Sequence, residues 1–106
     1  MHPADSDPVL TRFRQELSTA YGSRLERAIL FGSRARGDSR PDSDYDVAVF
    51  LHGFTSRWDE LGRLAEITTD ILLDTGAVIS AKPFPAGAYN AARPLMREIA
   101  RDGMEL

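Results

Sequence analysis

Two apolar runs, residues 25–31 and 45–51, enclose a polar segment rich in Gly, Ser, Arg and Asp, and this contrast constrains the chain more than any other feature. Ile29, Leu30 and Phe31 are apolar without alternation, the pattern of a strand buried on both faces. Such a strand needs helices above and below its sheet, and the flanking sequence supplies them. Asp7 before Pro8 predicts an N-cap with proline at the first helical position. Leu10, Phe13, Leu17 and Tyr21 then recur at helical spacing until Gly22.

The run from Tyr45 to about residue 51 predicts a second strand, and the polar segment before it a functional loop with a helical turn after Ser33. Ser56 and Asp59 form a weak capping box for a helix reaching about residue 74. Its expected buried stripe is Leu61, Leu64, Ala65, Thr68, Ile71 and Leu72, with Gly76 as its stop. A third strand is expected over 77–84, with Pro83 and Pro85 placing its far end at an edge or rim. A last helix is expected over 94–101, presenting Leu95, Met96 and Ile99 on one face, with Met104 and Leu106 packing back or adding a short strand. The fold class is therefore α/β, or α+β: a small sheet of three to four strands flanked by helices.

The 106 residues suit one compact domain, residues 1–106, with no repeat or linker. A formal charge of −3 argues against direct binding of long nucleic acids. Twelve of the thirteen basic residues are Arg, which fits either phosphate recognition or a codon-biased genome; Lys82 is the single lysine. The absence of Cys excludes disulfides, thiolate nucleophiles and Cys-based zinc sites. The polar N-terminal run and the lack of long apolar stretches lead to the expectation of a cytoplasmic protein with no membrane partner.

Asp44 and Asp46, two residues apart at the start of a strand, point to the same face with backbones about 6.6 Å apart. Such a pair repels itself and is costly to desolvate unless a cation lies between. Hard oxygen donors favour Mg2+ or Mn2+, and paired metal ions suit an in-line phosphoryl displacement. Gly32 permits a tight turn, Ser33 adds a hydroxyl, and Arg34 and Arg36 can reach phosphate oxygens. Alone, Asp44 and Asp46 would read as a solvated strand start, Gly32 as a turn glycine and Ser33 as a helix cap; their spacing between two strands favours the joint site. Asp38 and Asp42 read as loop residues and Arg40 is ambiguous. His2 and His52 lack nearby metal-type ligands, and Trp58, Tyr89 and Phe84 read as packing or interface residues.

Gly32-Ser33, ten residues, then Asp44-Tyr45-Asp46 resembles the signature of the DNA polymerase beta-like nucleotidyltransferases. Arg34, Arg36, Gly37, Pro41 and Ser43 add similarity to the minimal (MNT) branch, and element order and size match over nearly the whole chain. The resemblance implies the polymerase beta-like fold with its mixed sheet, and Mg2+ held by Asp44 and Asp46, two ions when nucleotide is bound. It also implies a nucleoside triphosphate, usually ATP, at Gly32, Ser33, Arg34 and Arg36, with transfer of a nucleoside monophosphate to a hydroxyl. Members in bacterial toxin-antitoxin pairs are antitoxins that adenylylate a tyrosine of a HEPN toxin, which makes a HEPN-type protein the expected partner. Catalytic members usually carry a third carboxylate on the next strand. Here that strand has no acid, and Ile79 or Ser80 holds the expected position. The alternative is a catalytically degenerate nucleotide-binding or antitoxin interaction module.

Overall fold

The computed structural model describes residues 7–106; His2 and the rest of the polar N-terminal run lie outside them. Helix α1 (Pro8–Tyr21) starts where expected, the Asp7 carboxylate accepting from the amides of Val9 at 2.9 Å and Leu10 at 3.4 Å. Strand β1 (Leu25–Phe31) leads into a single helical turn, α2 (Ser33–Arg36), and strand β2 (Tyr45–Leu51) returns beside it. Helix α3 (Arg57–Thr75), strand β3 (Ile79–Pro85), helix α4 (Pro94–Asp102) and a two-residue strand β4 (Met104–Glu105) complete the chain. A short 3-10 turn over Ala88–Asn90, which carried no sequence signal, bridges β3 and α4.

The sheet runs β3-β2-β1-β4; β1 is antiparallel to β2 and β4, while β2 and β3 are parallel. It is the expected mixed sheet. On one face Val47, Val49 and Leu51 pack with Leu10, Phe13 and Leu17 of α1 and Leu64, Ile67 and Ile71 of α3. On the other, Ile29, Phe31, Ala48 and Phe50 meet Phe84 and the α4 residues Met96 and Ile99. Burial on both sides is what the uninterrupted apolar strands required. Pro83 and Pro85 sit in β3, an edge strand, where a missing N–H removes no bond from a second neighbour.

Two expectations are corrected. The third strand begins at Ile79 rather than 77, joined to β2 by the Tyr45 amide donating to the Val78 carbonyl at 2.9 Å. The buried stripe of α3 is Glu60, Leu64, Ile67 and Ile71; Leu61, Ala65 and Leu72 lie off it. On that stripe Glu60 turns inward to pair with Arg24, which joins the start of β1 to the start of α3. Among the described residues, no helix is long and apolar enough to cross a membrane.

Candidate active site

Antiparallel pairing sets Phe31, the last residue of β1, directly opposite Asp46 near the start of β2. The chain leaves β1 through Gly32, at φ 75° and ψ −158°, a conformation that only glycine adopts at little cost. A Cβ placed on Gly32 would lie 2.5 Å from Asp46 Oδ2, so the bare Cα is what lets the corner pass against the carboxylate. The Gly32 carbonyl accepts from the amides of Ala35 and Arg36, both at 3.1 Å, which closes α2. Gly37, at φ 83°, ends it in the left-handed region.

The loop from α2 to β2 is held from within. Arg34 Nε donates to the Ser43 carbonyl at 2.9 Å and its Nη2 to the Pro41 carbonyl at 3.2 Å. Its guanidinium also lies 3.8 Å from the centroid of the Tyr45 ring. Arg40 and Ser43 close a turn, the Arg40 amide donating to Ser43 Oγ at 2.9 Å and the Ser43 amide to the Arg40 carbonyl at 3.0 Å. Tyr45 Oη donates to Asp7 Oδ2 at 2.8 Å, tying the start of β2 to the cap of α1. Tyr45 and Asp46 point to opposite faces of the strand, so Arg34 is anchored on the side away from the Asp46 carboxylate.

Asp46 is half-buried and Asp44 exposed. Burial pushes the Asp46 carboxyl above the usual carboxylate range; Lys82 opposes the rise, Asp44 and Glu98 add to it, and Arg36 offsets a little. The structure thus groups Gly32, Ser33, Asp44, Asp46 and Arg36 at one end of the sheet and commits Arg34 to the loop. Arg36 is shared between Asp38 Oδ2 at 3.3 Å and Glu98 Oε1 at 3.9 Å. Asp38 is therefore a loop residue in an ion pair, and Asp42 is exposed.

Lys82 and Glu98 were missed by sequence reasoning. In the β2/β3 register Ser80 stands beside Asp46 and Ile79 beside Tyr45, and Ile79 is buried on the α1/α3 face. Of the two residues weighed for that position, Ser80 is the one on Asp46's face. Lys82, two residues on, shares that face and places Nζ 5.4 Å from the Phe31 ring centroid. Its status as the only lysine was a signal in the sequence, but only the parallel register aims it at Asp46. Glu98 comes from α4, whose docking no local pattern specified. Asp74 at the end of α3 pairs with Arg12 at 2.8 Å, away from this group.

A glycine corner thus lies against one of two neighbouring acids at one end of the sheet. A model of the family described as Polymerase beta, Nucleotidyltransferase matches residues 15–104. The chain belongs to that nucleotidyltransferase family. Two proteins of Methanocaldococcus jannaschii bearing the name "Putative protein adenylyltransferase" are similar to it. MJ0604 is 31% identical over 77 residues, spanning 73% of this chain and 71% of its own. MJ0141 is 42% identical over 43 residues, 41% of this chain, and the match spans only 43% of its own length. Among solved structures, a toxin-antitoxin crystal structure with AMP-PNP shares the nucleotidyltransferase fold at TM-score 0.59 and 20% identity, over 88% of this chain and 68% of that one.

The residues present fit a divalent cation in a limited way. Among the described residues no group of three or more His, Cys, Asp or Glu converges as a metal cage, so Asp44 and Asp46 are the donors on offer. A half-buried carboxylate whose ionisation is opposed by burial and by a neighbouring acid is a position that a cation stabilises. Mg2+ commonly takes one or two protein carboxylates together with substrate phosphates.

Proposed function

We propose that this nucleotidyltransferase transfers a nucleoside monophosphate, AMP from ATP, to a hydroxyl of a partner protein. The observation that carries the reading is the close approach of Gly32 to Asp46, which sets a bare glycine corner against an acidic pair. The adenylyl specificity is supported by the names of the two archaeal relatives. Asp44 and Asp46 would hold Mg2+, two ions when nucleotide is bound; bound there, the metal supplies charge neutralisation to the triphosphate. Gly32 gives the phosphates close access to the backbone, and Ser33 offers its hydroxyl. Arg36 and Lys82 supply positive charge where negative charge develops on the departing pyrophosphate. Arg34 braces the loop that holds Asp44, a role in place of direct phosphate contact. The acceptor oxygen forms its bond to the α-phosphorus as the bond to pyrophosphate breaks.

The partner we propose is a HEPN-type toxin, with this chain acting as its antitoxin in the cytoplasm. The toxin-antitoxin neighbour of the same fold supports this reading. A second reading, a degenerate site kept for nucleotide binding or for covering the partner, is favoured by one observation: β3 presents Ser80 and Lys82, not an acid, beside Asp46. Incubation with α-labelled ATP, Mg2+ and a HEPN protein separates the two. Label on the partner that vanishes in the Asp44→Asn, Asp46→Asn double variant is expected. If no label moves and the double variant still neutralises the toxin in cells, the transfer reading fails and the second stands.

A further inference from the structure

Helix α3 carries apolar residues on two opposite sides. Leu64, Ile67 and Ile71 face the sheet. At about 100° per residue, Trp58, Leu61, Gly62, Ala65, Leu72 and Leu73 fall within about 60° of a single line on the other side. That side is in solvent: Trp58 is 82% exposed, Leu73 77% and Leu72 42%. A surface helix ordinarily turns charge to water. Here the charges are displaced to the flanks.

The stripe has relief. One shallow hollow is bordered by Trp58 and Leu61 and floored by Gly62; a second lies at Ala65 and Thr69 between Glu66 and Asp70. Among the described residues a Cβ on Gly62 would meet nothing within 4 Å, so none of them requires glycine there. Glycine weakens a helix interior relative to alanine. Its bare Cα leaves room for a group from outside to enter the hollow.

One flank of the stripe carries Asp59, Glu66 and Asp70, with Arg63 alone of opposite sign. A second copy of this chain, laid antiparallel on the same face, would set that acidic flank against itself, and like charges at such spacing repel. We propose that the solvent face of α3 docks an amphipathic helix of a partner protein, apolar along its seam and basic on the flank that meets Asp59, Glu66 and Asp70. Large side chains at i, i+3 or i+4, and i+7 enter the two hollows. Because α3 covers the sheet face opposite Asp46, the docked helix tethers its protein behind the active site and leaves the glycine corner open. The surface is independent of whether the site turns over.

Trp58 is the only tryptophan and reports directly on the stripe. The probe is a helical peptide with leucine at those seam positions and arginine on one flank; its control carries glutamate in place of arginine. The arginine peptide is expected to shift Trp58 emission to shorter wavelength with a saturable isotherm, and the glutamate peptide to bind at least ten-fold more weakly. Gly62→Leu, which fills the first hollow, and Ala65→Glu should each weaken the arginine peptide ten-fold or more, while Asp44→Asn leaves its affinity unchanged. No shift with either peptide, equal affinity for both, or indifference to Gly62→Leu overturns the proposal. So does an emission shift that grows with protein concentration alone and accompanies a dimer in sedimentation, since the face would then belong to a second copy.

Discussion

Gly32→Ala tests the contact on which the active site depends. The residue's φ of 75° and ψ of −158° lie where a side chain costs of order 1–3 kcal/mol. The added methyl would also sit 2.5 Å from Asp46 Oδ2, and turning that carboxylate about 30° off its rotamer costs about 0.5–1.5 kcal/mol. The combined loss is roughly 1.5–4.5 kcal/mol, a large share of the roughly 5–15 kcal/mol that holds a domain together. At about 4–8 °C per kcal/mol for a domain of this size, Tm should fall by at least about 6 °C. Displacing Asp46 by about 1 Å should also reduce transfer about 100-fold. Gly76→Ala is the control: its φ is 78° but nothing lies within 4 Å of the new methyl, so it should lose only about 1 kcal/mol of backbone strain. Thermal denaturation of both variants, with calorimetric titration of ATP and Mn2+, gives the answer. If Gly32→Ala loses no more stability than Gly76→Ala and binds nucleotide and metal as well as the parent, the reasoning is wrong.

Asp46→Asn should stabilise the metal-free protein while abolishing transfer, because burial, with Asp44 and Glu98, opposes the wild-type charge more than Lys82 and Arg36 support it. The folded-state pKa is raised, so the native protein binds more protons than the unfolded chain between the two pKa values. Wild-type stability therefore falls as pH rises through that window, and the Asn variant should flatten the slope in urea denaturation. Asp7→Ala removes the cap of α1 and the acceptor for Tyr45 Oη; a loss of about 1–2 kcal/mol is expected in the same assay, and a loss below the assay's error would refute that coupling. Gly62→Ala, at an exposed helical position with open space around it, should gain about 0.5–1 kcal/mol; a loss would mean the glycine serves the fold itself.

The order of elements was legible because it rests on local chemistry. Asp7 and Pro8 start α1, the unbroken apolar run ends β1 at Gly32, and Pro83 and Pro85 point to an edge strand. The α3 stripe was misread because hydrophobicity alone does not say which of two apolar faces is inside. Leu64 and Ile71 were placed correctly, but Leu72 lies in water while Ile67 and the paired Glu60 are buried. A helix's rotation about its axis is set by what it packs on, and that is not written in its own residues.

The sequence by itself determined the donors of the candidate site and their spacing: Gly32 and Ser33 at the end of one strand, Asp44 and Asp46 at the start of the next. Period-two geometry and the loop between them suffice for that, since both act over neighbouring residues. Tertiary structure decided what surrounds the acids. The parallel register of β3 brings Ser80 and Lys82 beside Asp46, the docking of α4 adds Glu98, and Arg34 packs on Tyr45 and braces the loop. The contacts of β3 and α4 with Asp46 join residues far apart in the chain, and their pairing is fixed only when the hydrophobic faces of separate elements close on one another.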